Sequence, residues 1–168
     1  MGYPRQVRTK RLRLTPLARG DGEELAAIND DPEVHRYLGA LDHAGSLAQA
    51  ARFAAHWDEH GFGLWAVRTH DDDALLGFAG LSIPFHFPAV LPAVEVGWRL
   101  RRDAWGRGYA SEAGRAALRH GFAGLGLDEI VCLVRAGNER SLAVAARLGL
   151  RERERHGDVV VLTALRPG

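Results

Sequence analysis

Two glycines one residue apart, Gly106 and Gly108, carry the clearest chemical signal in the sequence. They separate an alternating segment, Glu95-Val96-Gly97-Trp98-Arg99-Leu100, from a segment whose apolar positions (Tyr109, Ala113, Ala116, Ala117 and His120) fall near the 3.6-residue period of a helix. The first turn of a helix has N–H groups without internal partners, and the peptide dipoles place partial positive charge there. Glycines that precede such a turn let a phosphate come close to those amides. Arg101, Arg102 and Arg107 put fixed positive charge around the same turn. The chemistry this arrangement offers is the binding of a diphosphate.

A nucleotide loop of the Walker type would end in Gly-Lys-Ser/Thr, and no lysine follows Gly108. A dinucleotide fingerprint would place a third glycine where Ser111 stands and an acidic residue at the end of the next strand, whereas Asp128 opens that strand. On residues alone, a plain tight turn explains the glycine pair as well as a phosphate site does. A second chemical pattern is His56-Trp57-Asp58-Glu59-His60, the His-x-x-Glu-His arrangement of some zinc peptidases. Trp57 shares an apolar stripe with Phe53, Gly61 ends the helix at once, and no downstream acidic helix offers a third ligand. A chance surface pair is the better reading. Asp71-Asp72-Asp73 reads as a solvated turn, since a calcium loop needs far more. His86, in an aromatic loop bounded by prolines, is a candidate border of a substrate pocket, although exposed loop histidines are common.

Elements that could position these residues follow in order. Residues 1–8 read as a loose tail and residues 9–168 as one domain. Arg11 to Leu14 alternates as a first strand; Asp21 opens a short helix with Leu25, Ala26 and Ile28, and Asp31-Pro32 starts another through Leu38. Ser46 is the expected cap of a longer helix that Gly61 ends. Leu64 to Thr69 and Leu75 to Ile83 form a hairpin of second and third strands, and residues 84–92 form a loop. A fourth strand over 94–100 leads to the glycine turn and its helix. A fifth strand, Glu129 to Arg135, a helix capped by Asn138 and stopped by Gly149, and a closing hairpin (150–155, 159–165) complete the chain. The fold class is mixed α/β, or α+β.

Composition narrows the function classes. Apolar residues make up 46% and charged residues 26% of 168, enough for a substantial core. A net charge of +1 is too balanced for a polyanion-binding surface, so nucleic acid is not an expected partner. Cys132, the single cysteine, lies in an apolar run and reads as a buried thiol, which excludes a disulfide framework. No apolar stretch approaches the roughly 20 residues of a membrane span, and no signal peptide is evident. The expectation is a soluble, cytoplasmic protein without a membrane partner.

Trp105-Gly106-Arg107-Gly108-Tyr109-Ala110 resembles the coenzyme A diphosphate loop of the GNAT superfamily of N-acetyltransferases, whose pattern is Gln/Arg-x-x-Gly-x-Gly/Ala, with Trp105 in place of the usual first residue. The Tyr-Ala-Ser-Glu-Ala that follows is similar to the branch containing ribosomal-protein N-terminal acetyltransferases. Thr9 to Leu14, Asp31 to Val34, Trp65 to Val67 and Asn138 to Ser141 fall where that branch has its landmarks, so the likeness covers nearly the whole chain.

The resemblance implies a central, mostly antiparallel sheet in which parallel fourth and fifth strands splay apart to admit the pantetheine arm of acetyl-CoA. It implies that the backbone of Trp98, Arg99 and Leu100 bonds that arm. Gly106, Arg107, Gly108, Tyr109, Ala110 and Ser111 would hold the diphosphate, and Asn138 would contact the cofactor while capping its helix. Glu95, at the family's Glu-x-Gly position, is the candidate base, though a strand carboxylate in solvent is the plain alternative. Ser141 is the candidate acid for the departing sulfur, because Ala145 stands where many relatives place a tyrosine. Arg99, Arg101, Arg102 and Arg107 are candidates for the diphosphate and the 3′-phosphate. The implied reaction is acetyl transfer to a primary amine in a ternary complex, without a metal. The acceptor would be a protein N-terminus, with small amines or amino-bearing antibiotics as alternatives. A catalytically silent acetyl-CoA-binding module is the non-enzymatic alternative, and the family leaves room for a homodimer.

Overall fold

The computed structural model describes residues 2–168. Its centre is an eight-stranded sheet: β1 (Val7–Arg8), β2 (Leu12–Pro16), β3 (Leu64–Thr69), β4 (Gly77–Ser82), β5 (Glu95–Leu100), β6 (Glu129–Arg135), β7 (Arg151–His156) and β8 (Val159–Leu165). The spatial order is β1-β2-β3-β4-β5-β6-β8-β7, antiparallel throughout except for the parallel pair β5–β6. Five helices flank it: α1 (Gly22–Asn29), α2 (Pro32–His35), α3 (His43–His60), α4 (Tyr109–Gly124) and α5 (Glu139–Arg147). This is the mixed architecture expected from the order of elements.

The strand alternation divides the core by face. Trp65 and Val67 of β3, Ala79 and Leu81 of β4, and Val96 and Leu100 of β5 join Ala113, Ala116 and Ala117 of α4 on one face. Leu64, Ala66 and Phe78 turn the other way, to Leu25 and Ile28 of α1 and Ala50 of α3. Each fully buried Leu or Val among them contributes roughly 1.5–3 kcal/mol. The two faces matter for function because odd and even residues of β5 look into different halves of the molecule.

Several boundaries differ from expectation. Residues 2–8 are not a loose tail. Tyr3 is 5% exposed, its ring lies 4.5 Å from that of Trp65 at an interplanar angle of 11°, and the indole of Trp65 donates to the Pro4 carbonyl at 3.1 Å. One aromatic in a short polar stretch has no period to betray it, so burial of Tyr3 is a tertiary effect. The cap of α3 is Asp42, whose carboxylate accepts from the Gly45 amide at 2.7 Å, not Ser46. Ser46 is instead buried, and its hydroxyl accepts from the Asn29 side-chain amide at 3.0 Å. The first turn of α3, His43-Ala44-Gly45, carries no large apolar residue, which hid the true start. The helix begun at Pro32 closes by His35 instead of running to Leu38.

Candidate active site

The Gly106–Gly108 turn is built as its glycines require. Gly106 (φ 74°) and Gly108 (φ 79°) both occupy the left-handed region, where a side chain costs roughly 1–2 kcal/mol. Gly108 is the residue before α4, and no side chain caps the helix. The first amide to close a helical bond is that of Glu112, which donates to the Gly108 carbonyl at 3.0 Å. Tyr109, Ala110 and Ser111 stand ahead of it, so their N–H groups form the mouth of the helix. The Ser111 hydroxyl is buried beside them without a hydrogen-bond partner. Three leftover amides, one leftover hydroxyl and the positive end of a 16-residue helix fit a diphosphate.

A single carboxylate anchors that mouth. Glu112 accepts from Thr9 Oγ1 (2.6 Å), from the Arg11 amide (2.7 Å) and from Arg11 Nε (2.7 Å). Arg11 in turn donates to the Arg107 carbonyl at 2.7 Å, and its guanidinium lies 4.7 Å from the centre of the Tyr109 ring. The turn between β1 and β2 is thereby tied to the glycine turn. Arg107 itself is exposed, and its contribution to the turn is its carbonyl.

The second half of the site is a gap in the sheet. β4 and β5 pair along six positions, from Ser82↔Glu95 to Gly77↔Leu100. β5 and β6, by contrast, share the single residue pair Glu95↔Val131 among the described residues, with the Val131 amide donating to the Val94 carbonyl at 3.0 Å. Beyond that point β6 continues its ladder with β8 as far as Arg135↔Val159, so the two strands part. Successive residues of a strand direct their main-chain groups to opposite edges. Val94 and Val96 face β6, so Trp98 presents its N–H and C=O to the open gap. Leu100 faces the same way, but its carbonyl accepts from the Trp105 indole at 2.8 Å.

Arg99 departs from its expected role. Its main-chain groups face β4, by the same alternation. Its side chain lies on the α1 side of the sheet, donating to Asn29 Oδ1 at 2.5 Å and lying 5.7 Å from the Phe78 ring centre. Arg101 and Arg102 are also engaged elsewhere, with Asp103 (2.7 Å) and Asp31 (3.1 Å). The cations that gather instead come from other elements: Arg140 of α5 lies 4.0 Å from the Trp105 ring centre, and Arg115 and Arg147 stand on α4 and α5. No linear pattern unites them; only the fold does.

Helix mouth, gap and α5 meet in one cleft of about 1020 Å³. Trp98, Arg99 and Leu100 line it from β5, and Gly106, Gly108, Tyr109, Ala110 and Ser111 from the turn and α4. Asn138 and Ser141 line it from α5; Asn138 caps that helix by accepting from the Ser141 amide at 3.2 Å. Ala145 is fully buried in the core. Glu95 lies outside this lining, at the apex where the gap begins. Its carboxylate accepts from Ser82 Oγ at 3.3 Å. Burial pushes its carboxyl up to about 7, against the downward pull of that hydrogen bond.

The histidine pair of α3 is not a metal site. His56 Nε2 accepts from the Ile83 amide at 3.1 Å, so Nδ1 carries the proton and donates to the Phe62 carbonyl at 2.9 Å. Neither ring nitrogen is free to ligate. In the aspartate turn, Asp73 pairs with Arg13 at 2.6 Å and Asp72 accepts from the Ala74 amide at 2.9 Å. His86 is exposed and stands outside the cleft lining. Among the described residues, no helix is long and apolar enough to cross a membrane.

Comparison with known proteins agrees with this geometry. The family model for the acetyltransferase (GNAT) domain matches residues 11–151. YoaA, an uncharacterized N-acetyltransferase of Bacillus subtilis (strain 168), is 30% identical over 151 residues, covering 87% of this chain and 82% of its own. An acetyltransferase from Agrobacterium tumefaciens str. C58 superimposes with a TM-score of 0.83 at 28% identity, over 98% of this chain and 95% of that one. A ribosomal-protein-S5-alanine acetyltransferase from Vibrio fischeri has the same fold, with a TM-score of 0.73 at 15% identity over 96% of each chain. The chain belongs to the GNAT acetyltransferase family and is an acetyl-CoA-dependent N-acetyltransferase.

Proposed function

We propose that this chain acetylates a primary amine by direct attack on acetyl-CoA within a ternary complex, with Glu95 as the base. The observation that carries the reading is the meeting of two features in one molecule: a cleft joining the α4 mouth to the β5–β6 gap, and a carboxyl tuned to about 7 at the apex of that gap. The mouth amides of Tyr109, Ala110 and Ser111 hold the diphosphate. The Trp98 main chain pairs with the pantetheine arm as a neighbouring strand would.

An ammonium has no lone pair, so the acceptor must first lose a proton; Glu95 takes it directly or through water. The amine nitrogen then bonds to the thioester carbon, and an N–H of β5 stabilises the oxyanion that forms. Collapse breaks the C–S bond and releases coenzyme A thiolate. Ser141 Oγ, in the cleft at the start of α5, supplies a proton to the sulfur and takes back the one that the new amide nitrogen must lose. A thiolate also leaves readily unaided, since its reference pKa is roughly 8.5.

The branch resemblance favours a protein N-terminus as acceptor; a small amine that also carries a carboxylate is the second reading, favoured by the Arg99 guanidinium in the cleft wall. Thiol release from acetyl-CoA, measured with a panel of N-terminal peptides and small amines, tests both. Turnover with any member supports the reading. Tight acetyl-CoA binding without turnover across the panel would favour a binding module.

A further inference from the structure

The acetyl-CoA machinery leaves one buried charge unexplained. Arg99 donates through Nη1 to Asn29 Oδ1 at 2.5 Å, and no carboxylate lies within ion-pair distance of it among the described residues. Its Nε is buried and has no hydrogen-bond partner. A buried charged donor left without a partner bears its full desolvation penalty. Burial also depresses its pKa, to about 10. Folds rarely keep such a cation unless something completes it.

The surroundings hold this guanidinium in place. Asn29 is fully buried, and its amide nitrogen donates to Ser46 Oγ and to Gln49 Oε1, each at 3.0 Å. Those two bonds fix which end of the Asn29 amide faces Arg99. They also explain why Ser46, a poor choice for an interior position of α3, is buried there. Phe78 packs beneath the guanidinium. With Nη1 used by Asn29, the edge left over is Nε with Nη2, the fork that matches the two oxygens of a carboxylate.

The strand sets what this fork can reach. Glu95, Gly97 and Arg99 share one face of β5, two residues apart each time. Gly97 has no side chain, and a Cβ built there would meet nothing within 4 Å. Its cross-strand partner Gly80 also has no side chain, but it is buried against the Gly63–Trp65 backbone. Gly97 thus leaves open space on the strand between a carboxyl and a cation whose Cα atoms are about 13 Å apart. The Arg99 end opens into the large cleft, where Val34 and Tyr37 of the α2 segment form part of the wall.

From this juxtaposition we infer that Arg99, oriented by Asn29, binds a carboxylate on the acceptor, and that the acceptor is a small ω-amino acid lying across Gly97 with its amine toward Glu95. The inference deepens the acetyltransferase reading and rests on it. It assigns Arg99 a role in acceptor selection in place of the diphosphate role expected from its neighbours in sequence.

The test uses ω-amino acids from β-alanine to 6-aminohexanoate, each beside its carboxamide, with the full-length protein and acetyl-CoA. In the wild type at least one acid exceeds its amide in kcat/KM by roughly 10- to 100-fold, the value of a charged hydrogen-bonded pair. Arg99→Gln brings that ratio to near one through the acceptor KM. Asn29→Asp, nearly isosteric, places a permanent carboxylate against Arg99 and removes the preference while keeping the arginine and the fold. A readout independent of turnover is the Arg99 Nε–H resonance of the protein saturated with coenzyme A. It shifts on adding the acids and not the amides.

Equal rates and equal shifts for acid and amide would overturn the inference, as would a preference that survives both substitutions. Thermal protection by acetyl-CoA is read in parallel on every variant. Its absence from the wild type would defeat the acetyltransferase reading itself, whereas protection without carboxylate selectivity would defeat only the role given to Arg99.

Discussion

Glu95 stands opposite Val131 at the one residue pair, among the described residues, where β5 and β6 lie in register, and from that pair onward the strands separate. The candidate base thus sits at the apex of the opening that the pantetheine arm would enter. Its carboxyl is lifted to about 7 because it is buried at this junction, with only the Ser82 hydroxyl to favour its charged form.

Replacing the carboxyl should expose this role in the pH dependence. The wild-type kcat/KM is expected to fall on the acid side with an apparent pKa near 7. Glu95→Gln should lower kcat/KM by roughly 10²–10⁴-fold and flatten that limb, the usual contribution of a positioned base. A pH–rate profile of both proteins checks this, and an unchanged profile in the variant would remove Glu95 from the mechanism.

The same carboxyl makes a prediction about stability that needs no substrate. Its folded pKa lies above the ordinary value of 4.5, so the folded state holds the proton more tightly. Its stabilising contribution is therefore complete below about 4.5 and is lost as pH rises through about 7. Glu95→Gln should exceed the wild type in stability at pH 8, by on the order of 3 kcal/mol, and lose that advantage below pH 5. Denaturant unfolding at the two pH values measures the difference.

His56 should act with the opposite sign. Burial depresses its pKa below 6.5, and its Nε2 must stay unprotonated to accept from Ile83. The stability it contributes is complete above about 6.5 and is lost as pH falls from there through its lower folded value. Melting temperatures from pH 8 to pH 5 should fall less steeply for His56→Gln than for the wild type, from a lower starting point at pH 8.

At the helix mouth, Gly108→Ala should cost roughly 1–2 kcal/mol, because its φ of 79° disfavours any side chain. The new Cβ would also lie 3.2 Å from Arg11 Nη2, crowding the cation that braces the turn. The acetyl-CoA KM should rise while the acceptor KM stays nearly constant. Steady-state kinetics with each substrate varied in turn separates the two effects.

The Glu112 latch gives a further expectation. Glu112→Ala removes the shared acceptor of Thr9 and Arg11, each such charge-assisted bond being worth about 1.5–3 kcal/mol. The variant should unfold at lower denaturant, and hydrogen exchange should speed up first in β1 and the first turn of α4.

Local patterns in the sequence make much of this molecule legible. Leu64–Thr69 and Glu129–Arg135 form strands with the bounds expected for their short apolar runs, and the glycine pair marks the start of α4. Asn138 caps α5 as its residue type suggests. What stayed hidden depends on contacts between distant segments. Tyr3 is buried only because Trp65 is there to stack on it. Ser46 looks like a cap until Asn29 is seen to need its hydroxyl. Positive charge reaches the cleft from Arg11 ahead of β2, Arg115 on α4, and Arg140 and Arg147 on α5, while Arg101 and Arg102 pair with other partners. Strand parity explains the case of Arg99: its neighbours in sequence face the gap, and it does not.

A crystal structure of the protein with coenzyme A tests the central claim most directly. Diphosphate oxygens are expected within hydrogen-bond distance of the Tyr109, Ala110 and Ser111 amides. The pantetheine arm is expected between β5 and β6, bonded to the main chain of Trp98. A coenzyme seated elsewhere, or a β5–β6 gap closed by continuous strand pairing, would contradict it.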